Sequence, residues 1–156
     1  IMKVSELFEE TERSILTVMG QQPDRIVGDF TCAGKSLISL EGAPRVVTGS
    51  FYCQRNYIDS LDHVPESMNY LNFYENELES LHNIHKKIKH CTIGGFEKNP
   101  IKSHVLGLLL IEGLNHVYFD IHHLAKIIND HLKGDRDVFA CQEELIEAGL
   151  EDFAQL

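Results

Sequence analysis

The sequence predicts an α/β fold, a solenoid of short parallel strands with a helix at its N-terminal end and a helical cap at its C-terminal end. Three observations predict it. The order apolar-x-apolar-x-x-Asn-x-apolar occurs at Phe51, Cys53, Asn56 and Ile58, and again at Leu71, Phe73, Asn76 and Leu78. A later window keeps Phe96, Asn99 and Ile101 with Gly94 in the leading place, and an earlier one keeps Phe30, Cys32 and Leu37 with Lys35 instead of the asparagine. The windows start at residues 30, 51, 71 and 94, a period of about 20 to 23 residues. Leu40, Leu61 and Leu81 each follow the last apolar position by three residues, and Pro44 and Pro65 recur at the same period.

That period is leucine-rich-repeat spacing, and the repeats occupy residues 26–101. Within each window the apolar pair alternates with polar residues, so Phe51 and Cys53 face inward while Tyr52 and Gln54 face outward. An inward asparagine where the chain leaves the strand can hydrogen-bond backbone groups that would otherwise be unpaired. One copy cannot bury its apolar side, but stacked copies can. Stacking exposes the core at both ends, so each end needs a cap. Residues 2–20 supply the first as a helix, with Ser5 as its cap and Leu7, Phe8, Ile15, Leu16 and Met19 along one side. Residues 102–156 supply the second. There the pattern predicts a helix over 102–111, one extra strand over 116–120, and helices over 121–132 and from Asp135 or Asp137 to about Ala148. A last turn over 151–156 follows. No low-complexity linker interrupts the 156 residues, which are read as a single domain.

The outward residues are the ones free to act. They are Asp29, Thr31, Ser50, Tyr52, Gln54, Tyr70, Asn72, Tyr74 and Glu97. Tyr52, Gln54, Tyr70, Asn72 and Tyr74 form the candidate partner-binding set, because tyrosines anchor protein interfaces with an apolar ring and a polar tip. Fourteen basic against 24 acidic residues give a net charge of −10. That balance opposes direct binding to nucleic acid or to an anionic membrane. It suits a basic protein partner, or mimicry of nucleic-acid charge. No stretch of about 18 apolar residues predicts a membrane span.

The chemistry-bearing residues form no recognisable set. Nine histidines are scattered, including His82, His85 and the adjacent His122 and His123. No pair of closely spaced cysteines completes a structural zinc site. Cys32, Cys53, Cys91 and Cys141 read as reduced buried thiols, with Cys32 and Cys53 neighbours on one ladder. Gly34-Lys35-Ser36 lacks the rest of a phosphate-binding loop and falls in a repeat turn. The expectation is a protein that is not an enzyme, with no cofactor and no metal.

Val27-Gly28-Asp29-Phe30-Thr31-Cys32 and the stretch from Ser36 to Pro44 resemble tandem units in small uncharacterised proteins of large tailed bacteriophages. The similarity extends through Asn99 to Leu109 and Val138 to Leu150, and the opening Met2 to Phe8 is similar to the openings of other phage proteins. The sequence departs from those units at Lys35 and over Leu71 to Asn83. The resemblance implies a phage accessory protein made in the host bacterial cytoplasm. Its expected role is to bind a bacterial host protein or defence enzyme and inhibit it. The alternatives are an acidic DNA mimic and a virion or assembly component.

Overall fold

The computed structural model describes residues 13–156. The expected cap at Ser5 and the first turns of the N-terminal helix lie outside these residues. Within them, helix α1 (Ile15–Met19) starts at Ser14. The Thr17 amide donates to Ser14 Oγ at 3.1 Å, and the Ser14 amide donates to Thr17 Oγ1 at 2.9 Å. This reciprocal cap makes Ser14 the start of a helix rather than a residue inside one. The Leu16 amide donates to Glu41 O at 2.8 Å, which docks α1 on the first return segment.

The repeat windows form one parallel sheet. Strands β2 (Phe30–Thr31), β4 (Ser50–Tyr52), β5 (Tyr70–Asn72), β6 (Ile93–Gly95) and β7 (His116–Tyr118) stand side by side in sequence order. Phe30, Phe51, Leu71, Gly94 and Val117 lie in one row across all five strands. The extra strand predicted in the cap is thus the fifth rung of the sheet. A second parallel column joins the return segments, where β1 (Arg25–Ile26) pairs with β3 (Val46–Val47). Single bridges continue it from Val46 to Ser67, His90 and Glu112. Ion pairs follow the same column: Arg45 meets Asp24 at 2.9 Å and Glu66 at 2.5 Å, and Lys89 lies 4.0 Å from Glu66.

The inward residues build the core as the alternation requires. Phe30, Cys32, Phe51, Cys53, Leu71, Phe73 and Phe96 are all buried. Phe30 stacks on Phe51, and Phe96 stacks on Phe119, each with ring centres 5.7 Å apart. Gly94 stands in the apolar row because the Phe96 ring already fills its place. A Cβ there would come 2.9 Å from Phe96 Cε2.

The asparagines tie each coil to the one before it. Asn56 Oδ1 accepts from the Lys35 and Leu37 amides at 3.0 and 2.9 Å, while Nδ2 donates to Cys32 O and Cys53 O at 3.0 Å. Asn76 accepts from the Ile58 amide at 3.0 Å and donates to Cys53 O at 2.9 Å and Phe73 O at 3.3 Å. Asn99 accepts from the Leu78 amide at 3.0 Å and donates to Phe73 O at 2.8 Å and Phe96 O at 3.1 Å. This directionality explains Lys35. An asparagine there would serve a preceding strand of the sheet, and among the described residues β2 has none before it. The residue just before each of these positions is left-handed: Gly34, Arg55, Glu75 and Lys98 have φ between 55° and 63°.

The helical cap differs from expectation in one place. The dense apolar run over 102–111 forms a short 3₁₀ turn (Leu106–Leu110) rather than an α-helix. Its backbone is held instead by the C-terminal tail. The His104, Val105 and Leu106 amides donate to Asp152 O, Phe153 O and Gln155 O at 3.0 to 3.1 Å. A one-turn helix α2 (Ile84–Lys87) lies in the third coil's return segment. Helices α3 (His122–Lys133) and α4 (Val138–Glu147) appear where predicted, and Asp137 caps α4 by accepting from the Ala140 amide at 3.0 Å. The final turn is 3₁₀ (Glu151–Phe153). Leu124, Ile127, Ile128 and Leu132 of α3, with Cys141 and Leu145 of α4, join the repeat core.

Candidate functional site

Each strand of the sheet is two or three residues long, so its pleat offers one or two outward positions. Ser50, Tyr70, Ile93 and His116 form one outward row, and Thr31, Tyr52, Asn72, Gly95 and Tyr118 form the next. Gln54 and Tyr74 lie just beyond the strands. Every member of the candidate set, Tyr52, Gln54, Tyr70, Asn72 and Tyr74, is half-buried, beside the buried Phe51, Cys53, Leu71 and Phe73.

The structure brings two of the three tyrosines together. Tyr52 and Tyr70 meet edge to face, with ring centres 6.2 Å apart. Tyr74 stands apart, because the chain's own cations cover its ring. Arg55 lies 5.9 Å and Lys98 5.7 Å from its centre. Both cations come from the left-handed turn positions, which aim their side chains along the sheet. Asn72 Oδ1 accepts from the Tyr74 amide at 3.1 Å and shapes the strand exit. Gln54 Oε1 is buried without a hydrogen-bond partner among the described residues.

Tyr118 takes the third place in the aromatic patch. It is 45% exposed on β7, with the His116 ring 4.6 Å away. Between Tyr70 and Tyr118 lies a pocket of about 300 Å³, lined also by Ile93 and Glu97. Gly95 lies beside two of its lining side chains. A Cβ at Gly95 would lie 3.2 Å from Tyr70 Oη and 3.4 Å from Glu97 Oε1, so both side-chain ends reach over the glycine. Burial raises the Tyr70 phenol above its ordinary value, and Glu97, Tyr118 and Tyr52 add to the shift. Tyr118 was readable as a strand residue, but nothing in its local sequence placed that strand beside β6. The repeat's asparagine position is His122 in this last coil, which hid the register.

Several acidic residues in and around the repeats pair with bases. Beyond the column around Arg45, Arg55 meets Glu75 at 3.3 Å, Lys87 meets Asp62 at 2.5 Å, and Lys102 meets Glu79 at 2.8 Å. The Lys87 ammonium holds the Asp62 carboxyl below its usual range. Among the described residues none of the ion pairs involves Glu97.

The other groups weighed in the sequence fall elsewhere. All four cysteines are free and buried, and burial pushes Cys32, Cys91 and Cys141 up to about 12. Such thiols are poor nucleophiles. The Gly34 amide donates to Gln54 O at 3.0 Å, and the Lys35 and Leu37 amides serve Asn56, so this turn presents no anion cradle. Among the described residues no three His, Cys, Asp or Glu side chains gather where they could share a metal ion, and no helix is long and apolar enough to cross a membrane.

No protein-family model, curated protein or solved structure matches this chain.

Proposed function

We propose that this protein is a non-enzymatic phage accessory protein that binds a bacterial host protein through the outward side of its sheet and inhibits it. The observation that carries this reading is the tyrosine patch: Tyr70 and Tyr118 line an open pocket, and Tyr52 packs edge-on against Tyr70. Rings carried on short strands of a rigid sheet lose little freedom on binding, which makes them efficient anchors. Asp24, Asp62, Glu66, Glu75 and Glu79 are each paired with a base, which supports a protein partner over mimicry of nucleic-acid charge by this part of the chain. The resemblance of the repeat units to bacteriophage proteins supports the host cytoplasm as the setting.

The test begins with affinity capture from bacterial lysate and identification of the captured protein by mass spectrometry. Calorimetry with the purified partner then compares the wild type with a Tyr52→Ser, Tyr70→Ser, Tyr118→Ser triple variant. Affinity should drop at least about tenfold while the circular dichroism spectrum is retained. Unchanged affinity in the folded variant moves the site off the sheet.

A further inference from the structure

We propose that the pocket between Tyr70 and Tyr118 receives an arginine side chain of the protein partner. The inference rests on the reading above, that the outward side of the sheet binds a protein, and it names the chemistry that side recognises.

Three properties of the pocket point to a cation. Its walls are aromatic, since Tyr70 and Tyr118 line it on either side of Gly95. Aromatic faces carry negative potential and attract cations within about 6 Å of the ring centre. Its rim holds a carboxylate, Glu97, which takes part in none of the ion pairs among the described residues. The chain as a whole carries a net charge of −10, which favours approach of a basic partner.

The same sheet shows the interaction already made within the chain. Tyr74 is flanked by Arg55 and Lys98 at 5.9 and 5.7 Å. Among the described residues no such cation covers Tyr70 or Tyr118. The pocket is therefore an aromatic site of the same kind with its cation position open.

The choice of arginine over lysine follows from shape and hydration. A guanidinium is flat, stacks on a ring, and can offer two N–H groups to one carboxylate. It is also more weakly hydrated than an ammonium, so it enters a half-open pocket at lower cost. Gly95 adds no side chain next to Tyr70 and Glu97. Any larger residue there would press on the Tyr70 hydroxyl and on Glu97 Oε1.

The test uses ¹⁵N-labelled full-length protein and three small probes: N-acetyl-arginine methylamide, its lysine counterpart and its neutral citrulline counterpart. The arginine probe should give saturable amide shifts centred on Tyr70, Gly95 and Tyr118, with a dissociation constant of roughly 1–10 mM. The lysine probe should bind more weakly, and the citrulline probe should leave these amides in place. Glu97→Gln, a half-buried rim position, should weaken the arginine probe about tenfold, and Tyr118→Leu should weaken it similarly. Shifts equal for arginine and citrulline, or unchanged in Glu97→Gln, overturn the proposal. So does an equal response to lysine, and so do shifts scattered away from the pocket. A pocket that ignores the probes while the tyrosine triple variant loses its partner leaves the sheet reading intact and removes the arginine. A pocket that binds the arginine probe while the triple variant keeps its partner overturns both readings, since that variant lacks both aromatic walls.

Discussion

The side-chain amide of Asn129 binds both backbone groups of Val117: Oδ1 accepts from the Val117 amide at 2.8 Å, and Nδ2 donates to Val117 O at 2.9 Å. Val117 lies on β7, the last strand of the sheet, and these two groups point away from β6. A sixth strand would pair with them in the same way. Helix α3 thus ends the sheet with one side chain. Arg136 extends the cap, with its guanidinium donating to Ile111 O at 2.9 Å and to Leu114 O. At the other end Arg13 donates to Ser36 O at 3.2 Å and to Lys35 O. Unpaired edges invite association with other chains. Replacing Asn129 with Ala should leave two buried backbone groups unsatisfied and cost about 2–4 kcal/mol. Urea denaturation measures the loss, and size-exclusion chromatography should show new self-association. A loss within about 0.5 kcal/mol, the range of ordinary surface changes, means water replaces the amide.

Asn76→Ala should destabilise the middle of the solenoid. Asn76 is buried and bonds Ile58, Cys53 and Phe73 across two coils. The expected cost is about 2–3 kcal/mol, above that of a single neutral hydrogen bond. Asn99→Ala should cost less, because Asn99 is only half-buried and water can reach its partners. Equal losses at the two sites by chemical denaturation would place solvent evenly along the ladder.

Gly94 and Gly95 are neighbours with opposite tolerances. Gly94→Ala drives a Cβ to 2.9 Å from the ring of the buried Phe96, which cannot yield, and should cost about 1–3 kcal/mol. Gly95→Ala meets the side-chain ends of Tyr70 and Glu97 at 3.2 and 3.4 Å and the Leu71 carbonyl at an ordinary 3.8 Å, and should stay within about 0.5 kcal/mol. Melting temperatures of the two variants decide the matter; a larger drop for Gly95→Ala contradicts this packing.

Stability should fall as pH rises above about 9. Burial holds Cys32, Cys91 and Cys141 at about 12 and Cys53 well above its ordinary value, whereas unfolded thiols titrate near 9.0. Between those values the unfolded chain has fewer bound protons than the folded one, so alkali favours unfolding. The stabilisation is complete below pH 9 and is lost as pH approaches 12. Each thiol contributes a slope of up to about 1.4 kcal/mol per pH unit. In urea titrations across this window, Cys32→Ala should have a shallower slope than the wild type by about that amount. Identical slopes would mean that Cys32 ionises in the folded state.

The strands were readable because inward apolar pairs and asparagines recur at one spacing, and the row from Phe30 to Gly94 needs nothing further. The fifth rung's partner was not readable, since His122 stands in the asparagine position and the closing amide comes from Asn129 on a helix. The run around Leu106 looked α-helical from apolar density alone. Its amides are claimed by residues some 48 positions away, as in Val105 to Phe153, and no local pattern announces that. The outward tyrosines followed from parity. Whether their rings meet depended on which cations the turns deliver, so Tyr74 was covered and Tyr118 took its place.

The backward reach of the asparagines also sets an order of assembly on the ribosome. Asn76 follows Asn56 by 20 residues, and Asn99 follows Asn76 by 23. The polar turn of each coil therefore stays open until that much more chain has emerged. A nascent chain would carry one unfinished coil at its growing end throughout synthesis. The last is sealed only when α3 delivers Asn129, so completion of the sheet and arrival of the C-terminal helices are one event.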